Sequence, residues 1–245
     1  MIETSGYYDM HCHILPGVDD GSQTMEMSLQ MLQMEYGQGV RNILLTPHCF
    51  AGRTQPQLLM EQYEALKEQA AKKFPELTLY LGNELMYSDT VIEELTAGNA
   101  YTVNDTAYIL VEFYTDISWK ALAGAMRRLG SEGYQPILAH MERYECLMRH
   151  EERVDELIDQ GVLMQMNSGS VIGGLFDRQA AECRRLIESG RIHLLGTDAH
   201  RMGWREPNLG DGIRALEKKI KNERLLRRIL FENPKAVLQG TYAGM

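Results

Sequence analysis

The chain has 245 residues, of which 44% are apolar and 24% charged, and its formal net charge is −9. This length can bury a substantial core, and we expect a single domain over residues 1–245. A net negative chain is a poor partner for a nucleic-acid backbone, which favours basic surfaces. Nucleic acid is therefore excluded as an expected partner.

Cysteine spacing and the length of the apolar runs indicate the cellular compartment. The four cysteines form no Cys-x-x-Cys pair, a pattern typical of free thiols in a reducing environment rather than of a zinc ribbon or a thioredoxin-like site. No apolar run is long enough to span a bilayer, and no basic-then-apolar leader precedes His11. We predict a cytoplasmic protein without membrane insertion, and the oligomeric state stays open.

Short apolar runs alternate with amphipathic stretches along the chain. In chain order the predicted strands are residues 7–14, 41–47, 77–82, 108–113, 136–140, 162–167 and 191–197. The predicted helices are residues 24–37, 56–74, 90–97, 119–132, 151–159 and 179–189, followed after the last strand by 210–221 and 223–232.

Seven alternations of strand and helix predict parallel β/α units with right-handed crossovers. Seven such units would form a TIM-like barrel one unit short of the usual eight. We therefore predict an α/β fold of the distorted (β/α)7 barrel type. An open doubly wound sheet is the alternative.

The most specific stretch of the sequence is Asp-Met-His-Cys-His-Ile-Leu-Pro-Gly-Val-Asp-Asp-Gly-Ser at residues 9–22. His11 and His13 point to one face of a strand, because side chains alternate there. Asp20 follows close behind. Imidazoles aimed at one point with a carboxylate nearby are what a divalent metal ion needs.

Other candidate ligands follow the ends of later predicted strands, where barrel enzymes gather their chemistry. His150 and His193 do not fit this pattern: the first lies among charges at a helix start, and the second has the wrong strand parity. With those from the first motif, the candidate metal ligands are His11, His13, Asp20, His48, Glu84, Glu112, His140, Asp198 and His200.

Nine ligands are too many for one ion, so we expect two or three divalent ions with Glu84 as a bridge. Imidazole and carboxylate without thiolate suit manganese, iron or zinc better than copper(I) or calcium. Ions about 4 Å apart activate water and clamp both oxygens of an in-line displacement. This is phosphoester chemistry, although amide hydrolysis uses similar parts.

Two arginines near the candidate ligands favour a phosphate substrate. Arg143 follows His140 by three residues and Arg205 follows His200 by five, and a guanidinium matches a pair of phosphoryl oxygens. The Cys-x5-Arg loop, Asp-x-Asp, the P-loop and Gly-x-Gly-x-x-Gly are all missing from the sequence, so thiol, aspartyl-phosphate and nucleotide-cofactor routes are unsupported.

These motifs resemble those of the PHP (polymerase and histidinol phosphatase) metallo-hydrolases. More narrowly, they resemble the manganese-dependent tyrosine-protein phosphatases of bacterial capsule and exopolysaccharide operons, the CpsB/CapC type. Met141, Thr197 and Cys49 depart from the residues usual there without removing a ligand. The resemblance is carried in order by residues 9–22, Thr46-Pro47-His48, Gly82-x-Glu84, Glu112-Phe113, Ala139-His140-x-Glu142-Arg143, Asn167-Ser168-Gly169-Ser170, Asp198-Ala199-His200 and Asn233-Pro234.

The resemblance implies three ions and a PHP-type barrel. It also implies that Arg143 and Arg205 hold the phosphoryl group and that the ion of preference is manganese, with iron, zinc, cobalt or magnesium as alternatives. His200, a water or a metal ion would stabilise the leaving phenolate, and the sequence does not decide between them. The implied ligand sets are His11, His13, Glu84 and Asp198; Asp20, His48 and His200; and Glu84, Glu112 and His140.

The function that follows from the resemblance is a protein-tyrosine phosphatase acting on the tail of a bacterial tyrosine autokinase that controls capsular or exopolysaccharide synthesis. The loops at residues 49–57 and 168–176, the latter with Val171, Ile172, Leu175 and Phe176, are candidates for gripping the phosphopeptide. A small-molecule phosphatase such as histidinol-phosphatase, on the same fold, is the alternative. An amidohydrolase and a non-catalytic metal-stabilised module are more distant readings.

Overall fold

Parallel strands and helices alternate along the chain, as the sequence predicts. The computed structural model describes residues 6–174 and 176–244. Its strands are β1 (Tyr7–Cys12), β2 (Val40–Leu45), β3 (His48–Cys49), β4 (Thr78–Leu81), β5 (Glu84–Met86), β6 (Tyr108–Glu112), β7 (Gln135–Leu138), β8 (Leu163–Asn167) and β9 (Leu194–Gly196).

The helices begin where the local chemistry favours a helix start. The side chains of Thr24, Ser118 and Asp177 each accept a hydrogen bond from the N–H three residues on, and Pro56 occupies a first helical position. The helices are α1 (Met25–Gly37), α2 (Pro56–Lys73), α3 (Val91–Thr96), α4 (Trp119–Ser131), α5 (Glu151–Asp159), α6 (Arg178–Glu188), α7 (Leu209–Lys219), α8 (Glu223–Arg227) and α9 (Asn233–Leu238).

All the ladders are parallel, and the sheet curls until its ends meet. One part has the order β1–β2–β4 and the other the order β3–β5–β6–β7–β8–β9. The two parts join because Asp198 N–H donates to His11 O at 2.7 Å and His13 N–H donates to Ala199 O at 2.8 Å, directly beyond β9 and β1. The predicted α/β barrel-type fold is confirmed, and the open sheet is wrong.

A short further strand follows each of two predicted strands, at the point where the chain changes neighbours. Pro47 lacks an N–H for the ladder, and it separates β2 from β3. Gly82 and Asn83 separate β4, which pairs with β2, from β5, which pairs with β3 and β6. The sequence prediction ended both strands before β3 and β5, because these short pieces start on the polar residues His48 and Glu84.

The carboxyl-terminal segment is more helical than predicted. The predicted helix at residues 223–232 is α8 followed by a π-helical turn, Arg228–Glu232, which runs directly into α9. The Phe231 ring packs 5.4 Å from the Tyr7 ring at the start of β1, and Asn233 Nδ2 donates to His193 O just before β9. This segment therefore covers the amino end of the sheet, opposite the ends where the candidate ligands lie.

Among the described residues, no helix combines the length and the apolar character needed to cross a bilayer.

The junction of β9 with β1 depends on a residue without a side chain. A Cβ on Gly196 would lie 2.5 Å from His11 Cβ and 2.8 Å from His11 N, so Gly196→Ala must push the two strands apart. We expect a loss of about 1–3 kcal/mol in the free energy of unfolding, measured by denaturant titration.

Gly124→Ala is the matched control. A Cβ there meets nothing within 4 Å, and the residue lies inside α4, so alanine should stabilise the protein by about 0.5–1 kcal/mol. Equal stability of Gly196→Ala and the unsubstituted protein would show that β1 and β9 are not packed this closely.

Candidate metal centre

The structure brings all nine predicted ligands together at the carboxyl ends of the strands. His11 lies in β1 and His13 just after it, and Asp20 lies in the following turn. His48, Glu84 and Glu112 belong to β3, β5 and β6, while the remaining three follow β7 and β9. Parallel strands impose this convergence, because their carboxyl ends all point to the same side of the sheet.

Three sets of ligand atoms each lie within 4.8 Å of one another, and they overlap more than the sets implied by the resemblance. His13 joins the set around Asp20, and His48 joins the set around Glu84. His140 Nε2 lies 2.7 Å from Glu84 Oε1 and 3.6 Å from Glu112 Oε2. The three sets are His13, Asp20, His48 and His200; His11, His13 and Asp198; and His48, Glu84 and Glu112.

Hydrogen bonds determine which nitrogen of His11 carries the proton in the neutral ring. Gln165 Oε1 accepts the His140 backbone N–H at 2.6 Å, which identifies this atom as the amide oxygen. His11 Nδ1 lies 3.1 Å from the same oxygen and must donate to it. The Nε2 lone pair of neutral His11 is therefore left facing the ligand cluster.

His13 and His200 are held in the same way. His13 Nδ1 lies 2.7 Å from Asp19 Oδ2, and His200 Nδ1 lies 2.9 Å from the backbone oxygen of Asp198. Both partners can only accept, so both rings donate through Nδ1 and leave Nε2 without a proton when neutral. Histidines that bind metals typically donate a hydrogen bond through the ring nitrogen that does not face the metal, and this bond fixes the orientation of the ring.

In the resulting arrangement, imidazole nitrogens without a proton lie close to one another and to negatively charged carboxylates. His13 Nε2 lies 3.3 Å from His11 Nε2, and the two nitrogens lie 3.2 and 3.3 Å from the carboxylate oxygens of Glu84. His48 Nδ1 and Glu112 Oε1 lie 3.0 Å apart, yet neither makes a hydrogen bond within the described residues. Such atoms fit cations shared between neighbouring ligand sets, which would satisfy these nitrogens and oxygens together.

Without a cation, protons must supply the positive charge. Burial lowers the pKa of His48 and of His140, but the carboxylates of Glu112 and Glu84 outweigh it and raise the values to about 10 and about 9. Burial likewise opposes protonation of His13, whose pKa is raised well above its usual value by Asp19 and the neighbouring carboxylates. The cluster thus requires positive charge, as protons or as metal ions.

His200 differs from these three histidines. Burial, together with the charges of His13 and Arg205, lowers its pKa to about 4, so the ring is neutral at pH 7. Its unprotonated Nε2 accepts a hydrogen bond from Arg205 Nη1 at 3.3 Å and lies 3.5 Å from Asp20 Oδ1. The neutral ring favours a ligand role for His200 over proton donation, and the proton-donor role stays a prediction.

Asp198 connects the ligand cluster to the two predicted phosphate-binding arginines. Its Oδ1 lies 3.5 Å from His13 Nε2, within the cluster. Its Oδ2 accepts from Arg143 Nη2 at 2.6 Å and is also paired with Arg205 Nη2. Both guanidinium groups are partly exposed at the mouth of the site, so they can reach an incoming anion.

The backbone is strained at three of these residues. His140, Asp198 and Arg205 have φ angles of +31°, +53° and +54°, in the left-handed region that side chains other than glycine rarely adopt. Such conformations cost of order 1–3 kcal/mol each and persist at functional sites where the surroundings hold them.

Buried polar side chains behind the ligands hold them in place. The sequence motifs did not identify this supporting role. Asp9 accepts from Thr197 N–H and Oγ1–H at 2.8 and 2.6 Å, and thereby ties β1 to the end of β9. Asn167 Nδ2 donates to Asp198 Oδ2, while its Oδ1 accepts from Gln165. Asp9 had a usable signal, since it shares strand parity with His11 and His13. Gln165 and Asn167 had the same parity signal on β8.

The two histidines set aside by the sequence analysis lie outside the cluster. His150 precedes α5, is about half exposed and pairs with Glu152. His193 is buried, and its Nδ1 accepts the Met164 N–H at 3.1 Å. Burial, with a smaller contribution from the positive charge of Arg228, lowers the pKa of His193 to about 4. The ring is therefore neutral at pH 7 and can accept this hydrogen bond.

Two clefts flank the ligand cluster. The first, of about 330 Å³, borders Asp20 and His48; the second, of about 350 Å³, borders Asn167 and Arg205. Four residues of the predicted loop 49–57 line the first cleft, and Ile172 of loop 168–176 is among those that line the second. Leu175 of that loop lies outside the described residues.

The sequence model of the family described as "Capsular polysaccharide synthesis, CpsB/CapC" matches residues 7–239. The tyrosine-protein phosphatase CpsB of Streptococcus agalactiae is 32% identical over 241 residues, covering 96% of this chain and 99% of the relative. A solved structure described as YwqE from Bacillus subtilis and CpsB from Streptococcus pneumoniae, "unique metal-dependent tyrosine phosphatases", superposes with a TM-score of 0.86 at 29% identity. It covers 96% of this chain and 95% of its own.

A more distant likeness concerns the fold alone. The phosphotriesterase homology protein from Escherichia coli superposes with a TM-score of 0.59 at 14% identity, covering 95% of this chain and 98% of its own. Family match, sequence identity and superposition all extend over nearly the whole chain, so this protein belongs to the CpsB/CapC family.

Proposed function

We propose that this protein is a metal-dependent phosphatase that hydrolyses phosphotyrosine in proteins. The proposal depends on one observation. Histidine rings are held with their unprotonated nitrogens facing buried carboxylates, and two arginines lie at the mouth of this cluster. Membership of the CpsB/CapC family, whose relatives are named tyrosine-protein phosphatases, supports this activity.

The nine clustered histidine, aspartate and glutamate side chains would hold two or three divalent ions. Glu84 is the natural bridge, because its two oxygens lie 2.7 Å from His140 Nε2 and 3.0 Å from His48 Nδ1. When bound, such ions polarise phosphoryl oxygens and lower the pKa of water. Manganese is our expected ion because the donors are imidazole and carboxylate and because the chain resembles manganese enzymes.

The chain's own contribution is to orient and to bind. Gln165 and Asp19 hold His11 and His13 with their Nε2 atoms inward, so the ligands need no rearrangement. Arg143 and Arg205 now share Asp198 Oδ2, and a phosphoryl group arriving beside them would replace that carboxylate as their partner. Their charge would then offset the charge that develops on the equatorial oxygens.

The physiological substrate we propose is the tyrosine-containing tail of a bacterial autokinase that controls capsular or exopolysaccharide synthesis, with the reaction in the cytoplasm. The family description, capsular polysaccharide synthesis, supports this setting. A small-molecule phosphatase of the histidinol-phosphatase type is the second candidate, since the same site could act on any accessible monoester.

A direct comparison of substrates tests the proposal. Manganese-loaded protein should cleave a phosphotyrosyl peptide with a kcat/KM about tenfold or more above that for histidinol phosphate, and chelation should abolish both rates. Phosphate release measures both reactions, and elemental analysis gives the metal content. Faster turnover of histidinol phosphate would favour the second candidate.

Glu84→Gln and Arg143→Ala should fail in different ways. The first removes the bridging charge and should lower both the metal content and kcat. The second should leave the metal content unchanged and weaken inhibition by inorganic phosphate about tenfold, the value of a charged hydrogen bond. Arg127→Ala, an exposed arginine of α4 paired with Glu156, is the control that should change neither quantity. Full metal content in Glu84→Gln would contradict the bridging assignment.

Metal affinity should rise with pH. In the metal-free protein His48 and His140, with pKa values of about 10 and about 9, are protonated at pH 7, and a metal ion must displace those protons. Below these values each competing proton lowers the affinity about tenfold per pH unit. Calorimetry in buffers of different ionisation enthalpy measures the protons released.

His150→Gln is the control for this experiment, because it removes an exposed histidine outside the cluster and should keep proton release unchanged. Binding without proton release would show that His48 and His140 are not displaced by the ion.

A further inference from the structure

The first cleft opens directly beside two of the proposed ligands. Its lining includes Asp20 and His48 from the ligand cluster, and it continues along the loop after β3 to the first turns of α2. A group attached to a phosphoryl at the cluster would therefore enter this cleft without crossing protein.

Beyond those ligands, four apolar side chains line the cleft together with Asp19, Arg53, Thr54 and Gln55. Val18, Phe50, Leu58 and Leu59 line it, and the Phe50 ring stands 5.5 Å from the His48 ring at an angle of 42°. Phe50 is 38% exposed, so a ligand in the cleft can reach its ring. The cleft volume of about 330 Å³ exceeds the roughly 150 Å³ of an engineered apolar cavity that holds benzene.

The second cleft has a different character. Beyond Arg205 it is lined by Asp177, Gln179, Glu206 and Asn208, whose side chains prefer water or polar partners. An aromatic ring placed there would desolvate these groups without replacing their hydrogen bonds. Ile172 and Ala180 also border this cleft, but its polar side chains predominate, so the first cleft is the better surface for an aromatic ring.

We propose that the first cleft binds the aryl ring of the phosphotyrosine, with Phe50 and Leu58 as the walls that select it; this rests on the proposed phosphatase function. The ring packs against Phe50 at the 4.5–7 Å spacing of aromatic pairs while its phosphoryl group lies at the cluster.

The cleft also accounts for selection against phosphoserine. The serine ester oxygen is joined to a single methylene, so its peptide backbone would have to approach the cluster itself. The tyrosine ring spans the cleft and leaves the backbone outside. Phosphotyrosine thus buries apolar surface against Phe50 and Leu58 that phosphoserine cannot.

Binding of two phosphonates to the manganese-loaded protein tests this assignment without requiring turnover. Calorimetry should show that phenylphosphonate binds about tenfold more tightly than methylphosphonate, from ring packing and apolar burial. In Phe50→Ala and in Leu58→Ser this preference should fall to about twofold, while methylphosphonate affinity is kept. Leu58 lies on α2 and is not a proposed ligand, so its variant tests the wall without disturbing His48.

Trp204→Ala is the matched control. This ring packs 5.5 Å from the His200 ring, is 53% exposed and is not part of the cleft lining. The preference for phenylphosphonate should survive its removal, whatever happens to overall affinity.

Each possible result supports or overturns the aryl cleft, the phosphatase function or both. A preference that persists in both cleft variants, or that is lost equally in Trp204→Ala, overturns the aryl assignment. Turnover of phosphotyrosyl peptides without any preference overturns the cleft alone. A preference that depends on Phe50 and Leu58 without turnover overturns the phosphatase and leaves the aryl cleft. Binding of neither phosphonate contradicts both proposals.

Discussion

The structure depends on an electrostatic constraint: buried carboxylates and imidazole lone pairs converge where only positive charge makes their proximity tolerable. Glu84 and Asp198 are almost fully buried, and moving such groups out of water is costly unless a charged partner compensates. The raised pKa values of His48 and His140 express this constraint in the metal-free chain. A divalent cation would satisfy the same constraint by replacing the protons on these histidines.

The rest of the fold holds this concentration of charge in place. The sheet curls until β1 meets β9, and Asp9 joins them through Thr197. Gln165 and Asn167 extend from β8 to His11 and Asp198, so ligands from opposite ends of the chain share one hydrogen-bond network. Left-handed backbone at His140 and Asp198 is the strain this arrangement carries.

Substrate recognition is placed around the cluster rather than within it. The arginines at Asp198 would meet the phosphoryl group of the proposed substrate, and the two clefts on either side differ in polarity. In the proposed arrangement most ligands come from strand ends, and most of the cleft walls come from the loop after β3 and the start of α2. Loops tolerate change better than the strands they connect, so this division lets specificity change without disturbing the ligands.

The sequence alone determined the alternation of strands and helices and the identity of the polar residues that follow each strand, because periodicity and ligand chemistry are local properties. It could not give the short strands β3 and β5 beyond Pro47 and Gly82, since these depend on which strand lies alongside. Sharing of His13 and His48 between ligand sets, and the inward Nε2 of His11, were decided by the tertiary structure. A ring's tautomer and reach depend on partners such as Gln165 and Asp19, whose positions are set only when the sheet curls and brings distant strand ends together.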